Sequence, residues 1–390
     1  MTTERRISQQ IRMVERVLAE YGQQRGTPLA RFLSGFFKRN RQMGSSDRRA
    51  VARLAYHYFR IGSAARDLDL STRLAIADFL CSDDSILADH LPTDFQPAIN
   101  GSLDEKIYLL EDRTAFRLKD IFPYSEYLSA GLDGPAYVKG LLVQPDLFIR
   151  LRPGYEAEVK AQLTEKGISF RPCGERALAL PNGTSLDRIP EIRGRYAVQD
   201  YSSQQTGRYF KAGNGERWWD ACAGAGGKSL LLHSLQPGVS LLVSDVRASI
   251  LRNLNERFEE AGIRGYRQKI IDLTQGTGAL GTEQFDGIIL DAPCSGSGTW
   301  GRTPEMITHF SAASLFRFST LQQQLARQAL RHLPPGKPLI YITCSVFAAE
   351  NEEVVDALRL SGDVEVEAAE LISGYHHRAD SLFVARLIKR

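Results

Sequence analysis

The sequence predicts an α/β protein in which a doubly wound sheet domain follows an all-helical segment and a small α+β unit. From about residue 199 onward, short apolar runs alternate with helical patterns, which is typical of a parallel sheet covered by helices on both faces. Residues 146–198 instead hold short strands around a helix, and the first third of the chain repeats apolar residues at helical spacing. We therefore expect three domains, at residues 1–140, 141–198 and 199–390.

The composition indicates an ordinary globular protein. The 390 residues are 43% hydrophobic and 24% charged, so the chain can bury a large core. No stretch approaches the roughly 18 apolar residues of a membrane helix, and residues 5–10 lack the apolar region of a signal peptide. We expect a cytoplasmic protein that does not bind membranes and, since no dedicated dimerisation element stands out, a monomer.

The cysteines are few, odd in number and widely spaced, which favours free thiols over disulfides. Neither they nor the seven histidines show the spacing of metal ligands, so no metal site is expected. The five cysteines are Cys81, Cys173, Cys222, Cys294 and Cys344.

The helical segment begins with an apolar repeat over 11–18, followed by a second helix for which Ser46-Asp47 are expected to form the cap and a third over 71–80. Residues 82–104 are acidic and rich in proline, glycine and serine, so we expect a linker or a loosely packed connection there. Further helix is expected up to the start of the α+β unit.

Charge is concentrated at the N-terminus. Residues 1–60 contain 13 lysines and arginines against four acidic residues, a net charge of +9, whereas the whole chain carries only +3. Such a block suits contact with a phosphate backbone, but it is equally compatible with a helical core whose outer face is solvated by arginines. The aromatic residues interleaved with it are Phe32, Phe36, Phe37, Tyr56, Tyr58 and Phe59.

The α+β unit is predicted from strands at 147–152, 168–171 and 177–180, a helix over 155–166 and a second short helix near 185–191. This order is similar to a ferredoxin or RNA-recognition fold. It lacks an alternating aromatic surface for stacking bases, so we interpret it as an ancillary platform.

A glycine-rich turn connects the first strand and helix of the sheet domain. The strand ends at Asp220, the turn runs through 222–228, and the next strand ends at Asp245, which can hold ribose hydroxyls. Cys222 replaces the first glycine of a phosphate-binding P-loop, and Asp220 would repel a pyrophosphate but attract the ammonium of a methionine group. Among NAD, flavin and S-adenosylmethionine, these details favour S-adenosylmethionine.

Two cysteine-bearing turns, at 291–298 and 341–345, each follow a short apolar run. Methylation of cytosine at C5 requires a thiolate to add first at C6, because the C5 atom is otherwise a poor nucleophile. One cysteine can attack and a second can help release the product. The pair of turns therefore indicates covalent methylation of a pyrimidine carbon.

These motifs closely resemble those of RNA cytosine-5 methyltransferases of the Rsm, Nop and NSUN type. The resemblance rests on Asp220–Lys228, Asp291–Gly298 and Thr343–Ser345, followed by Glu350–Glu352. It implies a Rossmann-like class I methyltransferase domain, an RNA-recognition-like subdomain, and RNA and S-adenosylmethionine as partner and cofactor. The basic helices resemble the NusB-like domain of the bacterial small-subunit rRNA enzyme.

The resemblance also implies roles for single residues. Cys344 would be the nucleophile, Cys294 would assist elimination, and Asp291 would lie near both the methionine group and N3 of the target ring. Lys228 and Arg302 would hold the substrate or its phosphates. The residues implied to line the cofactor site are Cys222, Ala223, Gly224, Ala225, Gly226, Gly227, Lys228, Asp245, Asp272 and Asp291.

The expected function is thus S-adenosylmethionine-dependent methylation of an RNA cytosine, with 16S rRNA as the leading substrate. The alternatives are methylation of tRNA, a DNA cytosine methyltransferase, and a non-catalytic RNA-binding or assembly factor. Trp300, beside the first cysteine turn, is a candidate border of the cytosine. Residues 350–353 are interpreted only as acids favourable in the first turn of a helix.

Overall fold

The computed structural model describes residues 3–24 and 26–390, which form two compact units. The helical unit comprises the residues up to 126 together with 133–144 and 300–310. The sheet unit comprises residues 127–132, 145–299 and 311–390. This division is coarser than the three domains expected from the sequence, which stay a prediction.

The helices and strands of the described residues are numbered along the chain. The helices are α1 (Thr3–Gly22), α2 (Leu29–Arg39), α3 (Ser45–Arg60), α4 (Leu70–Cys81), α5 (Leu103–Arg113), α6 (Gly134–Leu142), α7 (Glu156–Glu165), α8 (Tyr201–Gln205), α9 (Gly227–Leu235), α10 (Ala248–Glu260), α11 (Glu305–His309), α12 (Ala313–Leu330) and α13 (Glu352–Leu360). The strands are β1 (Leu147–Leu151), β2 (Arg171–Pro172), β3 (Ala177–Leu180), β4 (Tyr196–Val198), β5 (Arg217–Asp220), β6 (Ser240–Asp245), β7 (Arg267–Ile270), β8 (Gly287–Asp291), β9 (Pro338–Thr343), β10 (Val364–Ile372) and β11 (Leu382–Lys389).

Side-chain caps start several of the helices. Asp69 accepts hydrogen bonds from the backbone amides of Ser71 and Thr72 and so starts α4. Ser102 and Glu105 form a reciprocal capping box at α5. The cap expected at Ser46-Asp47 is wrong, because Gly44 precedes α3 and makes no side-chain hydrogen bond.

Asp47 instead joins two helices. Its carboxylate accepts from Arg6 Nε at 2.9 Å and from Gln10 Nε2 at 2.9 Å, which ties the start of α3 to α1. Charge-assisted hydrogen bonds of this kind are shorter and stronger than neutral ones. The residue that the sequence placed in a cap therefore contributes to helix packing.

The connection over 82–104 is packed rather than loose. Leu87 and Phe95 are buried, and the Asp78 carboxylate accepts from Ser85 Oγ and the amide of Ile86. Two short 3-10 turns carry the chain through this region. The expectation of a loose linker is wrong because the polar composition conceals a few well-spaced apolar anchors.

Three of the six aromatic residues of the basic block lie in the core, and the other three, Phe37, Tyr56 and Tyr58, are half-buried. Phe32, Phe36 and Phe59 are buried, and the Tyr21 ring lies 5.1 Å from Phe32 and 5.6 Å from Phe59. Arg25 of the same block lies outside the described residues. Exposed arginines remain on the surface: Arg5, Arg12, Arg16, Arg31, Arg39, Arg41 and Arg49.

The small α+β region is an antiparallel sheet in the order β2-β3-β1-β4 with α7 after β1. This is the strand order expected of a ferredoxin-like arrangement. Two predictions were wrong in detail. The strand expected over 168–171 shrinks to the two residues of β2, and the short helix expected near 185–191 is a pair of 3-10 turns separated by Ile189.

The large sheet has the strand order β10-β11-β9-β8-β5-β6-β7 among the described residues. Strands β5 to β9 are parallel, whereas β11 runs antiparallel to β9 and β10. The chain moves outward from β5 through β6 to β7 and then returns to β8 on the other side of β5. This reversal places a topological switch point between β5 and β8, where ligands bind at the carboxyl ends of strands. The Rossmann-like fold predicted from the sequence is confirmed.

Alternation along β5 fills the core on both faces of the sheet. Trp218 and Trp219 are at most 1% exposed and belong to different apolar clusters, as the two-residue period of a strand requires. Gly287 makes room for the first ring, because a Cβ there would lie 2.5 Å from Trp218. Within the described residues, no helix is both long and apolar enough to cross a membrane.

Candidate active site

The glycine turn leaves β5 at Asp220 and enters α9. Gly224 and Gly226 have φ values of +52° and +79°, a region that favours glycine. A Cβ on Gly226 would lie 2.8 Å from the Phe258 ring and 2.9 Å from Leu254. Local backbone shape and packing against α10 therefore require glycine at this turn, which leaves its backbone open to a ligand.

Asp220 is fully buried beneath this turn. Its Oδ2 accepts from Ser229 Oγ at 2.6 Å, and its Oδ1 has no hydrogen-bond partner among the described residues. Burial raises the pKa of Asp220 from its usual 3.8 to about 7. The Asp220 carboxyl thus keeps its proton up to a higher pH than an ordinary aspartate, whereas the sequence argument treated it as charged. Its unpaired oxygen is suited to a cationic ligand group.

Asp245 ends β6 beside the turn. Its Oδ2 accepts from the Gly224 amide at 3.0 Å, and its Oδ1 accepts from the amide and Nε of Arg247 at 2.9 and 3.1 Å. Burial acts to raise the pKa of Asp245, but the hydrogen bonds and charge of Arg247 outweigh it, so that the pKa is lowered. A stable carboxylate at this position can accept hydrogen bonds from ribose hydroxyls.

Asp272 follows β7, the neighbour of β6 in the sheet. Its Oδ1 accepts from the amide of Thr274 at 2.9 Å and from its hydroxyl at 2.6 Å, which starts a short 3-10 turn. Because β5, β6 and β7 are parallel, Asp220, Asp245 and Asp272 lie at the same edge of the sheet. The role of Asp272 near adenine stays a prediction.

Lys228 and Asp291 form an ion pair across the switch point. Lys228 Nζ donates to Asp291 Oδ2 at 3.0 Å; the lysine side chain is 7% exposed and the aspartate side chain 33%. The pair joins the start of α9 to the end of β8. It leaves part of the Asp291 carboxylate open to solvent at the start of the first cysteine turn.

The two predicted catalytic cysteines lie together. Cys294, after β8, and Cys344, after β9, have their Sγ atoms 3.3 Å apart. The hydrogen bond with Cys344, followed by burial, raises the pKa of Cys294 well above its usual range. The sequence placed both cysteines at strand ends, and the parallel pairing of β8 with β9 brings those ends together.

Gly298 holds the two turns close. Its amide donates to Cys344 O at 2.9 Å, and its carbonyl accepts from the Ser381 amide at 2.9 Å. A Cβ on Gly298 would lie 1.9 Å from the Ser381 carbonyl oxygen. No larger residue fits between the turn and the residue that precedes β11.

Sequence reasoning missed two buried residues. Glu350 and Asn351 are 0% exposed and precede α13, so the first-turn interpretation fits only Glu352 and Glu353. Asn351 Nδ2 donates to Ser345 O at 3.0 Å, while the Glu350 carboxylate accepts from the residues that follow both cysteines. The sequence signal for these two residues was the polar run at 350–353, after Thr343–Ser345. Acidic residues are also favourable in the first turn of a helix, which explained the same run equally well.

Two further candidates lie in segment 300–310 of the helical unit. Trp300 is 1% exposed, with its ring 6.0 Å from Phe122 and 5.1 Å from Phe310, so it packs in an aromatic core rather than bordering a base. Arg302 is half-buried in the same segment, and its role toward substrate stays a prediction. Among the described residues, no group of three or more histidine, cysteine or acidic side chains is placed to hold a metal.

Comparison with known proteins agrees with this geometry. Residues 208–387 match the family described as 16S rRNA methyltransferase RsmB/F. This segment, just under half of the chain, is similar to an RsmB/F-type methyltransferase domain. The family uses S-adenosylmethionine, which confirms the predicted cofactor. The residues at the glycine turn fit it, since Asp220 leaves a buried carboxyl oxygen unpaired and a Cβ on Gly224 or Gly227 would meet no atom within 4 Å.

Curated relatives carry the name ribosomal RNA small subunit methyltransferase B. The protein of Xylella fastidiosa is 32% identical over 259 residues, which are 62% of this chain and 61% of that protein. The protein of Klebsiella pneumoniae is 29% identical over 266 residues, 63% of this chain and 60% of that protein. The match therefore spans about three fifths of the length of these relatives.

Solved structures show the same fold at low sequence identity. The protein PH0851 has a TM-score of 0.71 and 20% identity over 96% of both chains. NSun6 from Pyrococcus horikoshii, solved with the S-adenosylmethionine analogue SFG, has a TM-score of 0.60 and 16% identity over 68% of this chain and 97% of that one. Both support the methyltransferase fold.

Proposed function

We propose that the protein methylates C5 of a cytosine in 16S rRNA through a transient bond between Cys344 and C6 of the base. The observation that carries this proposal is the 3.3 Å separation of the Cys294 and Cys344 thiols at the carboxyl edge of the sheet. The names of the relatives support ribosomal RNA as substrate. The proposal includes a cytoplasmic protein that acts as a monomer.

The two cysteines have different roles in the proposed reaction: one attacks C6 of the base, and the other assists the later breakage of the S–C6 bond. The hydrogen bond with Cys344, burial, and the charges of Cys344 and Glu350 all raise the pKa of Cys294, which favours the neutral thiol there. A neutral thiol is a poor nucleophile but can exchange a proton with a base. The resemblance of the two turns to the family's motifs supports Cys344 as the nucleophile and Cys294 as the group that assists its release.

The substrate must present an unstacked cytosine, since C6 is out of reach within a helix. The Cys344 thiolate forms an S–C6 bond as the C5–C6 double bond opens, and electron density moves toward N3 and O2 of the ring. The Lys228 ammonium is held by the Asp291 carboxylate three residues before Cys294, and its positive charge can offset the negative charge on the ring.

The bound cofactor would supply an electrophilic methyl group for C5, with Asp220, Asp245 and the turn at 222–228 as its binding residues. Loss of the C5 proton to a base and breakage of the S–C6 bond then restore both the aromatic ring and the Cys344 thiolate. Cys294, a water molecule or a carboxylate can serve as that base.

Methyl transfer from labelled S-adenosylmethionine into total RNA from cells that lack this protein tests the proposal, with bisulfite sequencing to locate the product. We expect one cytosine of 16S rRNA to be modified by the native protein and none by Cys344→Ala. Label confined to tRNA would support the tRNA alternative. RNA binding without any methylation would support the non-catalytic alternative.

A further inference from the structure

Glu350 is a buried carboxylate that contacts both cysteine turns. Its Oε1 accepts from the Ser295 amide at 2.7 Å, and its Oε2 accepts from Ser295 Oγ and Ser345 Oγ at 2.5 Å each. Gln322 on α12 adds a contact from Nε2 to Oε1 at 3.3 Å and also donates to Pro293 O. Four donors thus fill the acceptor positions of one carboxylate.

The two serines directly follow the two cysteines, so Glu350 connects the backbone segments that carry the thiols. We propose that Glu350 is a positioning residue that sets the separation and alignment of the Cys294 and Cys344 thiols, in the reaction proposed above on which this inference rests. The turns leave different strands, and a thiol moved by about 1 Å loses much of the advantage of a prearranged nucleophile.

The charge of Glu350 has a second consequence. The hydrogen-bond partners named above are all neutral, so no cation among them cancels the carboxylate. Its field is one of the causes that raise the pKa of Cys294, after the hydrogen bond with Cys344 and burial. Replacing Glu350 by the neutral glutamine should therefore lower the pKa of Cys294 and shift the pH dependence of the release step toward lower pH.

Glu350→Gln in the full-length protein tests the positioning, with Glu353→Gln as the matched control. Glu353 carries the same side chain three residues later on the exposed face of α13. Glutamine keeps the shape but places an NH₂ group against donors that need an acceptor. The contact from the Gly298 amide to Cys344 O does not involve Glu350, which favours a folded variant.

The first readout is independent of methylation. Diamide oxidises two neighbouring thiols to a disulfide, and the two protons and two electrons pass to the diazene, which becomes a hydrazine. The sulfur atoms must close from 3.3 Å to about 2.05 Å, so the rate reports their alignment. Mass spectrometry of the peptides that carry Cys294 and Cys344 follows the reaction.

We expect the disulfide to form at the same rate in the native protein and in Glu353→Gln, and at least about 10-fold more slowly in Glu350→Gln. In methylation assays, kcat of Glu350→Gln should fall by a similar factor, with the KM for RNA and the affinity for S-adenosylmethionine within about twofold of native. The pH profile of its turnover should move to lower pH.

Equal disulfide rates in Glu350→Gln and Glu353→Gln would overturn this inference whatever the activity. A slower disulfide in Glu350→Gln, combined with a native protein that methylates no RNA, would support the positioning role and reject the proposed function. If Glu350→Gln does not fold, Ser345→Ala removes one donor and keeps the carboxylate. An unchanged disulfide rate in that variant would also overturn the inference.

Discussion

The glycine turn and the cysteine turns lie at the same edge of the sheet, but different kinds of interaction hold them. The glycine turn takes its shape from its own backbone, with Gly224 and Gly226 at positive φ. The cysteine turns are held by side chains distant in the sequence, such as Glu350 on Ser295 and Lys228 on Asp291. The shape of the glycine turn follows directly from its residue types, whereas the shape of the cysteine turns depends on contacts that exist only in the assembled fold.

The largest expected effect is on methyl transfer, and it should distinguish the role of Cys344 from that of Cys294. Cys344→Ala removes the proposed nucleophile and should lower methyl transfer by roughly 10³-fold or more. Cys294→Ala should still form the bond to C6 but release it slowly, so that a denaturant-resistant complex with RNA accumulates. Labelled methyl transfer and gel analysis of the covalent complex measure both.

The reverse pattern, with a trapped complex only in Cys344→Ala, would exchange the two roles and would fit a nucleophile in the first turn. If neither variant accumulates the covalent complex, both thiols are needed to form the bond to C6. In either case the proposed division of roles between Cys344 and Cys294 fails.

Gly226→Ala tests the local geometry of the glycine turn. The added Cβ meets Phe258 and Leu254 at 2.8 and 2.9 Å and sits at a φ of +79°. A left-handed conformation costs roughly 1–2 kcal/mol and overpacking roughly 1–3 kcal/mol, so we expect a loss of about 3 kcal/mol in the free energy of unfolding. Urea denaturation measures it.

Gly227→Ala is the control for this variant, because a Cβ added there would meet no atom within 4 Å and the φ of Gly227 is not positive. Its stability should stay close to native. If both variants lose the same free energy, the turn relaxes around the added methyl group and packing against α10 does not define it.

The sequence predicted the parts of the site that depend on local pattern. Apolar runs placed Asp220 and Asp245 at strand ends and Asp291 at the start of the first cysteine turn, and the parallel strands of the structure bring all three to one edge of the sheet. The two cysteine turns were predicted to cooperate from chemistry alone, and their thiols are 3.3 Å apart. These inferences needed only the period of apolar residues and the reactivity of a pyrimidine.

The sequence could not predict which polar residues become buried through distant contacts. Glu350 was interpreted as an ordinary acid at a helix start, although it lies 55 residues from its partner Ser295. Glu305 is similar, since its carboxylate accepts from the amide of Leu29 at the start of α2, 276 residues away. Contacts of this kind depend on chain topology, for which a single sequence carries no local signal.

Asp220 should have a smaller effect on the free energy of unfolding, and this effect depends on pH. Burial raises its pKa from 3.8 to about 7, so between these values the folded protein holds a proton that the unfolded chain has released. The stability contributed by this group is therefore fully present below about pH 4 and is lost as the pH rises through 7. Asp220→Asn removes this dependence.

At about pH 8 we expect Asp220→Asn to raise the free energy of unfolding by about 2 kcal/mol. A pKa unit corresponds to about 1.4 kcal/mol, and the new amide nitrogen, which gains no acceptor, offsets part of the gain. Denaturation at about pH 5 and about pH 8 measures the difference, with Asp272→Asn, after the end of β7, as control. Parallel pH dependence in native protein and Asp220→Asn would contradict the raised pKa.

The smallest effect concerns the helical unit, where charge pattern alone suggested RNA contact. Arg41 and Arg49 are exposed, while each of the six aromatic residues of the same block is buried or half-buried, so RNA contact there would rest on charge rather than stacking. If each arginine neutralises one phosphate, Arg41→Gln and Arg49→Gln together should reduce the slope of log K against log salt by about 2. Fluorescence titration of rRNA fragments at several salt concentrations measures this slope.

Lys119→Gln is the control, because Lys119 is exposed in the same unit but lies outside the basic block, so the slope should stay unchanged. Equal slopes in all variants would mean that Arg41 and Arg49 only solvate a helical surface.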